Sequence, residues 1–341
     1  SVLGGIETTP RETGPTACIQ SSITERWPRS GVDEALCGLR FLAIGDWGVT
    51  LPDMDKTKNW RQAEVAIAMD TWASEHGDLD FIISTGDNFY PRGVQSNDSL
   101  RFRVSWKDVY NLYHLTRVPW YIALGNHDYH LGSDDRELRQ VEHSRLDPAW
   151  KCPHLWYERT WTVGLTTLQI IVIDTTALKF GRHQPSVQFS WIQRQLSQSD
   201  ADWKILVTHH PIYSVGLNGP SDKFLVKYIL PVAEKYGVDV VLSGHDHALE
   251  HIRRSDGGGP DFVISGAGGK ELYDENRHFV EKLNKAGLSL HLYRKDNGFV
   301  AFDVKNNALS VGFYDRTNRL LHNFTHWKGI GYRQMHSLDL Q

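Results

Sequence analysis

Five polar segments, each placed directly after a short apolar run, carry the residue types that could perform chemistry in this chain. They are Gly45-Asp46-Trp47, Gly86-Asp87-Asn88-Phe89-Tyr90, Gly125-Asn126-His127, Thr208-His209-His210 and Gly244-His245-Asp246-His247. An apolar run that stops at a polar turn is typical of a buried strand that ends in a loop. Open α/β sheets bind their ligands beyond such carboxyl ends. A single Gly-Asp pair could be an ordinary turn, but the recurrence predicts one shared site.

The side chains collected from these segments are all oxygen or imidazole donors, namely Asp46, Asp87, Tyr90, Asn126, His209, His245 and His247. Donors of this kind suit hard or borderline metal ions and do not suit soft copper or cluster iron. Seven donors are too many for one tetrahedral ion. They suit two ions that share a bridging carboxylate and lie about 3.5–4 Å apart, as in two-metal phosphoryl chemistry.

The elements that must position these donors alternate between strands and helices. Apolar runs predict strands at 40–44, 81–84, 119–124, 168–173, 203–207 and 238–242. Helical spacing predicts helices at 60–76, 186–198 and 221–236, the last with Ser221 as its N-cap and a kink at Pro231. The strand–helix–strand order over 40–84 predicts a βαβ unit and a parallel sheet.

The end of the chain has a different pattern. Runs at 261–264, 298–304 and 308–314 predict antiparallel strands joined by short turns such as Asn306-Asn307. A mostly parallel sheet followed by a β-rich tail predicts an α/β fold in which two packed mixed sheets are flanked by helices. We expect residues 1–39, rich in Gly, Pro, Ser and Thr, to form an irregular segment packed on a single domain of residues 40–341.

Composition excludes several classes of protein. The formal net charge of −4 gives no nucleic-acid footprint, and no apolar run approaches the length of a membrane span. The chain starts at Ser1, so any signal peptide lies outside the sequence. None of Cys18, Cys37 and Cys152 forms a C-x-x-C pair, which disfavours a structural zinc site. One disulfide with one free thiol, or three free thiols, are both open.

The five segments resemble, in order and in spacing, the five metal-binding blocks of the purple acid phosphatases, a branch of the calcineurin-like metallophosphoesterases. The resemblance covers roughly residues 40–320 and is greatest to the small, mammalian-type (tartrate-resistant) branch, because Trp47 and Val118-Pro119-Trp120-Tyr121 add to it. It implies an αββα sandwich over 40–341, with the site at the carboxyl ends of the strands. It also implies hydrolysis of phosphate monoesters at acid pH by a metal-bound hydroxide.

The resemblance assigns a role to each donor. Asp46, Tyr90 and His247 would hold Fe(III). Asn126, His209 and His245 would hold a divalent ion (Fe, Zn or Mn), and Asp87 would bridge the two ions. A phenolate is a hard anionic donor that favours Fe(III), whereas a neutral Asn suits the ion of lower charge. Relatives that resemble protein phosphatases or nucleotide phosphodiesterases lack the tyrosine.

Three residues are candidates for a direct role in catalysis. His127 is the first candidate for protonating the leaving group, because it neighbours a ligand without being one in the family pattern. A histidine often proposed for this step in relatives is here Asn218, and His210 stands where relatives usually carry tyrosine. We therefore keep His127, His210 and Asn218 as candidates.

Other departures from the family concern loops. The long loop that follows strand 168–173 in the mammalian-type branch is absent, and Lys179 occupies one of its expected cysteine positions. The insert at 129–155 is expected to be either part of the substrate rim or a solvated loop. Asp246 and Asp174 are expected to have structural roles, and Gly266-Ala267-Gly268-Gly269 a tight turn beside the site.

Two alternatives to an acid phosphatase remain. One is a phosphodiesterase or a specific nucleotide or phosphoprotein phosphatase that uses the same site, and the other is an inactive scaffold. The seven retained donors disfavour the scaffold. We expect small phosphate monoesters or a phosphoprotein as substrate, a monomer, and a secreted, lysosomal or vacuolar location. Sequons at Asn97 and Asn323 fit export, although such triplets also arise by chance.

Overall fold

Two seven-stranded sheets form the centre of the molecule. A computed structural model describes residues 38–49, 60–130, 135–163, 166–305 and 307–328. In chain order its elements are β1 (Leu39–Ile44), α1 (Trp60–His76), β2 (Phe81–Ser84), a π-helical segment (Phe102–Lys107), β3 (Trp120–Ile122), a 3₁₀ turn (Asn126–Asp128), α2 (Arg136–His143), β4 (Trp150–Lys151), β5 (Tyr157–Val163), β6 (Thr166–Val172), α3 (Thr175–Phe180), α4 (Pro185–Gln198), β7 (Trp203–Val207), α5 (Lys223–Tyr228), α6 (Leu230–Lys235), β8 (Val240–Ser243), β9 (Leu249–Arg254), β10 (Asp261–Ser265), α7 (Arg277–Lys285), β11 (Leu288–Arg294), β12 (Gly298–Lys305), β13 (Ala308–Asp315) and β14 (Leu320–Trp327).

The strand order makes both sheets mixed. The first sheet runs β14-β13-β12-β1-β2-β3-β4, and the second runs β11-β9-β10-β8-β7-β6-β5. Strands β1 to β4 are parallel to one another, as are β6, β7, β8 and β10. The remaining pairings are antiparallel. The parallel strands in each sheet therefore bring their carboxyl ends to a common edge.

The pattern along β1 shows why two layers pack on it. Phe41 and Ala43 belong to a cluster between the sheets, in which Phe41 stacks on Phe81 and Phe302 with ring centroids 4.5 and 4.6 Å apart. Leu42 and Ile44 belong to a second cluster that includes Val65, Met69 and Trp72 of α1. Successive strand residues point to opposite faces, so an apolar strand is buried on both sides, by the other sheet and by helices.

Most of the predicted elements are confirmed. The helix at 60–76 and the strands at 81–84 and 203–207 have the bounds that the sequence predicts, and β1 and β2 pair in parallel as the βαβ unit requires. The α/β class with two mixed sheets and outer helices is also confirmed. Residues 1–37, with Cys18 and Cys37, and Asn306 lie outside the described residues, so those predictions stay predictions; Cys152 is buried and unpaired.

The tail differs from the expectation in two respects. Strands β12 and β13 are antiparallel as predicted, but β10 lies in the other sheet, parallel to β8 and antiparallel to β9. The sequence pattern missed β9, which pairs with β10 across a short turn. It also missed β5, β11 and β14. Several of these strands lie toward sheet edges, where half-exposed residues weaken the apolar pattern.

The prediction of a helix at 221–236 is wrong about the residue at which the helix begins, but it is right that the helix is interrupted near Pro231. Two short helices, α5 and α6, are separated at Ile229, and Pro231 lies in the first turn of α6. The N-cap is Asp222, not Ser221: the Asp222 carboxylate accepts hydrogen bonds from the backbone N–H of Phe224 (2.9 Å) and Leu225 (3.0 Å). A carboxylate also suits the positive end of the helix dipole.

We expect Asp222→Ala to lower the free energy of unfolding by about 1 kcal/mol, the usual cost of losing an N-cap. Denaturant unfolding followed by circular dichroism measures this change. Asp222 also pairs with Lys179 at 2.6 Å, so Asp222→Asn serves as the matched variant, since Asn caps a helix but carries no charge. Ser221→Ala is the control and should be near neutral. Equal destabilisation by Asn and Ala, or a larger effect at Ser221, would contradict the assignment of the cap.

Candidate metal centre

The predicted donors lie just beyond the carboxyl ends of parallel strands from both sheets. In the first sheet, β1 leads to Asp46, β2 to Asp87 and Tyr90, and β3 to Asn126. In the second sheet, β7 leads to His209, and β8 leads to His245 and His247. The site is therefore built where the edges of the two sheets meet, as expected for ligands of open α/β sheets.

Asp46, Tyr90 and His247 form the first donor set. The Tyr90 hydroxyl donates to Asp46 Oδ1 over 3.0 Å and lies 3.1 Å from His247 Nε2. His247 Nε2 lies 3.4 Å from the same Asp46 oxygen. All three side chains are buried. Two oxygens and one imidazole nitrogen thus converge on one point.

Asn126, His209 and His245 form the second donor set. His209 Nε2 lies 3.1 Å from Asn126 Oδ1 and 3.2 Å from His245 Nδ1. The amide oxygen and two imidazole nitrogens face one another. This set contains no carboxylate of its own and shares that of Asp87.

Asp87 joins the two sets. Its carboxylate groups with His209 and His245 on one side, and with Asp46 and His247 on the other, with ligand atoms in each group within 4.8 Å of one another. Burial opposes ionisation of Asp87, but the imidazoles of His209, His127 and His245 outweigh it and lower its pKa. A carboxylate that belongs to both donor sets is the arrangement that a bridging ligand requires.

Unusual backbone conformations point three of the donors into the site. Asp46, Asp87 and His245 have φ of +59°, +53° and +67°. Such left-handed conformations are uncommon for residues with a Cβ and are retained at functional sites when the surroundings enforce them. Gly125 allows the close approach, because a Cβ there would lie 2.1 Å from Asp87 Oδ1. The sequence showed the glycines but not this geometry.

Backbone carbonyls fix two of the ligand imidazoles. His209 Nδ1 lies 3.0 Å from the Thr85 carbonyl, and His247 Nδ1 lies 2.7 Å from the Glu271 carbonyl. A carbonyl only accepts, so each Nδ1 carries a hydrogen and Nε2 is the nitrogen that faces the cluster. Both rings are therefore oriented to bind metal ions through Nε2.

A buried network that the sequence analysis missed holds the loops in register. Asp128 accepts from the backbone N–H of Gly125 (2.8 Å), Asn88 (2.9 Å) and Phe89 (3.1 Å), and from Gln140 Nε2 (2.7 Å). The Asn88 amide in turn donates to Gln140 Oε1 (3.1 Å). Burial, followed by the nearby Asp87, raises the pKa of Asp128 to about 6.

The insert at 129–155 therefore has a structural function that neither expected interpretation contained. Its helix α2 carries Gln140, which links the loop after β2 to the loop after β3. The signal for α2 in the sequence was the pair of apolar residues Leu138 and Val141, three positions apart in a charged segment. Both pack against the core cluster.

His127 lies at the edge of the cluster with one ring nitrogen fixed. Its backbone N–H donates to Asp87 Oδ1 over 2.8 Å, and its Nδ1 donates to the Pro91 carbonyl over 2.8 Å. The ring packs on Tyr90 with centroids 4.5 Å apart. Since Nδ1 is occupied, Nε2 is the nitrogen that can exchange a proton with a bound molecule.

His210 and Asn218 have different surroundings. His210 is buried, its Nδ1 lies 2.8 Å from Thr175 Oγ1, and its ring packs on His245. Burial, followed by the neighbouring His245 and His209, holds the pKa of His210 well below its ordinary value, so a neutral ring is a poor source of a proton. Asn218 is exposed, and its side-chain amide donates to Asp246 over 2.8 Å.

The residues expected to be structural make contacts of that kind. Asp174 accepts from the Ala177 N–H over 2.8 Å as the N-cap of α3, and Asp246 bonds Ser214 and Asn218 rather than joining either donor set. Gly268 donates its N–H to the Gly45 carbonyl over 2.9 Å, which places the glycine turn beside the site.

The donor chemistry fits two metal ions. Burial, followed by the charges of Asp46 and Asp87, raises the pKa of Tyr90 well above its ordinary value, so the protein alone disfavours a phenolate there. A multivalent cation would reverse this balance, since it stabilises anionic ligands. Two carboxylates, a phenol, an amide and three imidazoles are the donors that hard and borderline ions take.

A further group, Asp135, Glu137 and His183, also brings ligand atoms within 4.8 Å of one another. Arg182 Nη2 lies 2.9 Å from Asp135 Oδ1 and 3.2 Å from Glu137 Oε1. The guanidinium therefore already compensates both carboxylates. This group acts as an ion-pair cluster that ties α2 to the segment after α3.

Comparisons with known proteins agree with the geometry. A model of the calcineurin-like phosphoesterase family matches residues 39–249. Human tartrate-resistant acid phosphatase type 5 is 30% identical over 309 residues, which are 85% of this chain and 91% of the relative. Purple acid phosphatase 3 of Arabidopsis thaliana is 33% identical over 306 residues, covering 84% of this chain and 76% of the relative.

Among solved structures, GAP50, described as the anchor in the inner membrane complex of Plasmodium, matches with a TM-score of 0.68 and 24% identity. The match covers 86% of this chain and 90% of that one, and it bears on the fold alone. The family match goes further, because residues 39–249 include the strands that deliver all seven donors, and the two phosphatases match more than four-fifths of the chain. The chain belongs to the calcineurin-like phosphoesterases and, among them, to the purple acid phosphatases, enzymes that hydrolyse phosphoric monoesters.

Proposed function

We propose that the protein is a binuclear metal-dependent acid phosphatase that hydrolyses phosphate monoesters. The observation that carries the proposal is the position of Asp87, whose carboxylate belongs to both donor sets. A single-metal site would not need a shared carboxylate. An inactive scaffold would not need seven converging donors, three of them in left-handed backbone conformations.

The first donor set would hold Fe(III), and the second would hold a divalent Fe, Zn or Mn ion. Tyr90 supports this division, because a phenolate beside two carboxylates offsets the charge of a trivalent ion, whereas Asn126 and two imidazoles are neutral. When bound, the two ions supply Lewis acidity, which lowers the pKa of coordinated water and neutralises phosphate charge.

The chain's own residues hold the donor sets in place and transfer the proton. The hydrogen bonds of Asp128 hold Asp87 and Asn126 on their two loops, so the donor sets keep a fixed separation. His127 holds a proton at Nε2 in its imidazolium form and transfers it to the oxygen of the departing alcohol. Because the Pro91 carbonyl holds Nδ1–H, the ring remains oriented when Nε2 loses its proton.

The setting of the enzyme is a further part of this proposal. We propose a secreted, lysosomal or vacuolar, glycosylated monomer that acts on small phosphate monoesters or phosphoproteins. Asn323 is exposed on β14 and Asn97 is half-buried, which supports glycosylation first at Asn323. No helix in the described part of the chain has the length and apolar character needed to cross a membrane.

The visible spectrum tests the assignment of Tyr90. We expect purified protein with two metal ions per chain to show a broad band in the green, because charge passes from the phenolate to Fe(III). Tyr90→Phe should lose this band. Absorption spectroscopy with metal analysis of the same samples measures both quantities.

The matched control is Tyr129→Phe. Tyr129 is also buried and also bonds a carboxylate, that of Asp174, but it lies in neither donor set. Its replacement should leave the band in place. If the wild-type protein binds two ions but is colourless, the ions are manganese or zinc and the assignment of iron is wrong. If the protein cannot be loaded with metal, the proposed metal centre is contradicted.

Substrates with different leaving groups test His127. We expect His127→Gln to lower kcat by about 10²–10⁴-fold, the range of general acid catalysis, on an alkyl phosphate such as glycerol phosphate. The loss should be much smaller on para-nitrophenyl phosphate, because nitrophenolate departs without a proton. Steady-state kinetics at acid pH give both values.

Equal losses on both substrates would assign His127 to binding rather than to proton transfer. Wild-type activity on bis(para-nitrophenyl) phosphate that exceeds activity on the monoester would favour a phosphodiesterase on the same site. No hydrolysis of either ester by protein that carries two metal ions would overturn the proposed function.

A further inference from the structure

A chain of four hydrogen-bonded residues runs from the exposed Asn218 into the core. Asn218 Nδ2 and the Asn218 backbone N–H donate to Asp246 Oδ1 over 2.8 and 3.1 Å. The Ser214 hydroxyl contacts Asp246 Oδ2, and it also lies 2.9 Å from Glu250 Oε1. Ser214, Asp246 and Glu250 are all buried. The mechanism described above uses none of the four.

The hydroxyl between two carboxyl groups fixes the number of protons. Ser214 Oγ has one hydrogen and two acceptor positions. One acceptor position is taken by the Gly216 N–H at 2.9 Å. If the hydroxyl donates to one carboxyl group, the other has no hydrogen to accept and must itself donate. The geometry therefore requires one of the two carboxyl groups to be protonated.

The neighbours of each carboxyl group show which one carries the proton. Asp246 accepts from both nitrogens of Asn218 in addition to Ser214, which suits a carboxylate. Glu250 has one further donor, the Val215 N–H, which lies 2.9 Å from Oε2. Glu250 Oε1 is then the oxygen that carries the hydrogen, and it donates to Ser214. Burial, followed by Asp246, raises the pKa of Glu250 to about 8.

The segment that this chain orders lines a groove beside the donor His247. Gly216 and Leu217 line a groove of about 540 Å³ together with Leu272 and Tyr273. The Tyr273 ring stacks on His247, with centroids 4.2 Å apart. Asp246 lies between the donors His245 and His247 in sequence. The side chain of Asn218 is thus anchored on a residue that is continuous with the metal ligands.

We propose that Glu250 is a positioning residue which, as a neutral acid, completes a hydrogen-bond chain through Ser214 and Asp246 that holds Asn218 at the rim of the metal centre. The inference rests on the proposed function, since it assigns Asn218 to the substrate side of that site. Glu250 does not touch the reacting atoms and acts only through Asn218.

The retained proton has a consequence for stability. Other ionisable groups near Glu250 are Asp246, Glu275 and Tyr293, and both carboxylates disfavour its ionisation. A carboxyl group whose pKa is raised on folding contributes stability that is present below its unfolded value and is lost as pH rises through the folded value. Wild-type stability should therefore decline between about pH 5 and 8 relative to a variant that cannot ionise.

Glu250→Gln is that variant. A glutamine at 250 can donate to Ser214 through its amide nitrogen and accept from Val215 through its oxygen, so it reproduces the neutral acid without titrating. The melting temperature of Glu250→Gln minus that of wild type should increase as pH rises from 5 to 8, and above pH 8 this difference should stay constant. A difference that stays the same across this range would show that Glu250 is already ionised at pH 5, and it would overturn the proposal.

A double-mutant cycle tests the path through Asn218. Glu250→Ala should lower kcat/KM by about 10-fold, as loss of an outer hydrogen-bond partner does, with both metal ions retained. Glu250→Gln should keep most of the wild-type kcat/KM. If the site instead required a negative charge at Glu250, Glu250→Gln would lose activity as Glu250→Ala does. In the Asn218→Ala background the same Glu250→Ala change should cost little more. If the two losses in kcat/KM multiply in the double variant, the path through Asn218 is overturned. If Glu250→Ala folds poorly, Ser214→Ala takes its place in the cycle and should show the same loss in kcat/KM.

The two proposals fail separately. If metal-loaded wild type hydrolyses no ester, the proposed function is wrong, and binding of inorganic phosphate by calorimetry replaces kcat/KM in the same cycle. If wild type is active and Glu250→Gln is as impaired as Glu250→Ala, the acid phosphatase stands and the positioning role of Glu250 is wrong.

Discussion

The burial of two carboxylates within one group of imidazoles and a phenol is the constraint on which the rest of this structure depends. Asp46 and Asp87 are almost fully inaccessible to solvent, and burying charge is costly unless cations or hydrogen bonds compensate for it. The imidazoles lower the pKa of Asp87, yet the same carboxylates disfavour ionisation of Tyr90. Cations held by the two donor sets would satisfy both conditions, and the hydrogen bonds of Asp128 tie together the loops that carry Asp87 and Asn126.

That arrangement explains where the fold tolerates strain. Left-handed conformations at Asp46, Asp87 and His245 cost free energy that an ordinary loop would avoid. Asp128 offsets part of this cost, because it accepts hydrogen bonds from the two loops that carry Asp87 and Asn126. Gln140 of α2 extends the network into the insert. A segment that looks like a solvated addition therefore contributes to the geometry of the centre.

The sequence predicted what depends on local pattern. Glycine-flanked donors after apolar runs, such as Asp87 after β2, indicated the sheet edge, and the helical spacing from Val65 to Ala73 indicated α1. It missed what depends on contacts distant in the chain. Gln140 contacts Asp128 and Asn88 only because α2 folds back over both loops. The sequence predicted Ser221 as the cap and not Asp222, since either residue type can cap a helix and only the backbone path decides between them.

Asn218 illustrates how a side chain outside the two donor sets can be tied to a residue that lies between two donors in sequence, since it bonds Asp246. An amide neither gains nor loses a proton near neutral pH, so the Asn218 side chain offers no proton transfer. Its two donors instead stabilise the Asp246 carboxylate. Burial, followed by the neighbouring His245 and His209, holds the pKa of His210 well below its ordinary value, whereas the Nδ1 of His127 is anchored on the Pro91 carbonyl and its Nε2 is available for the proton transfer that we propose. In the proposed hydrogen-bond chain, the proton on Glu250 helps to hold Asn218 in place and takes no part in the reaction.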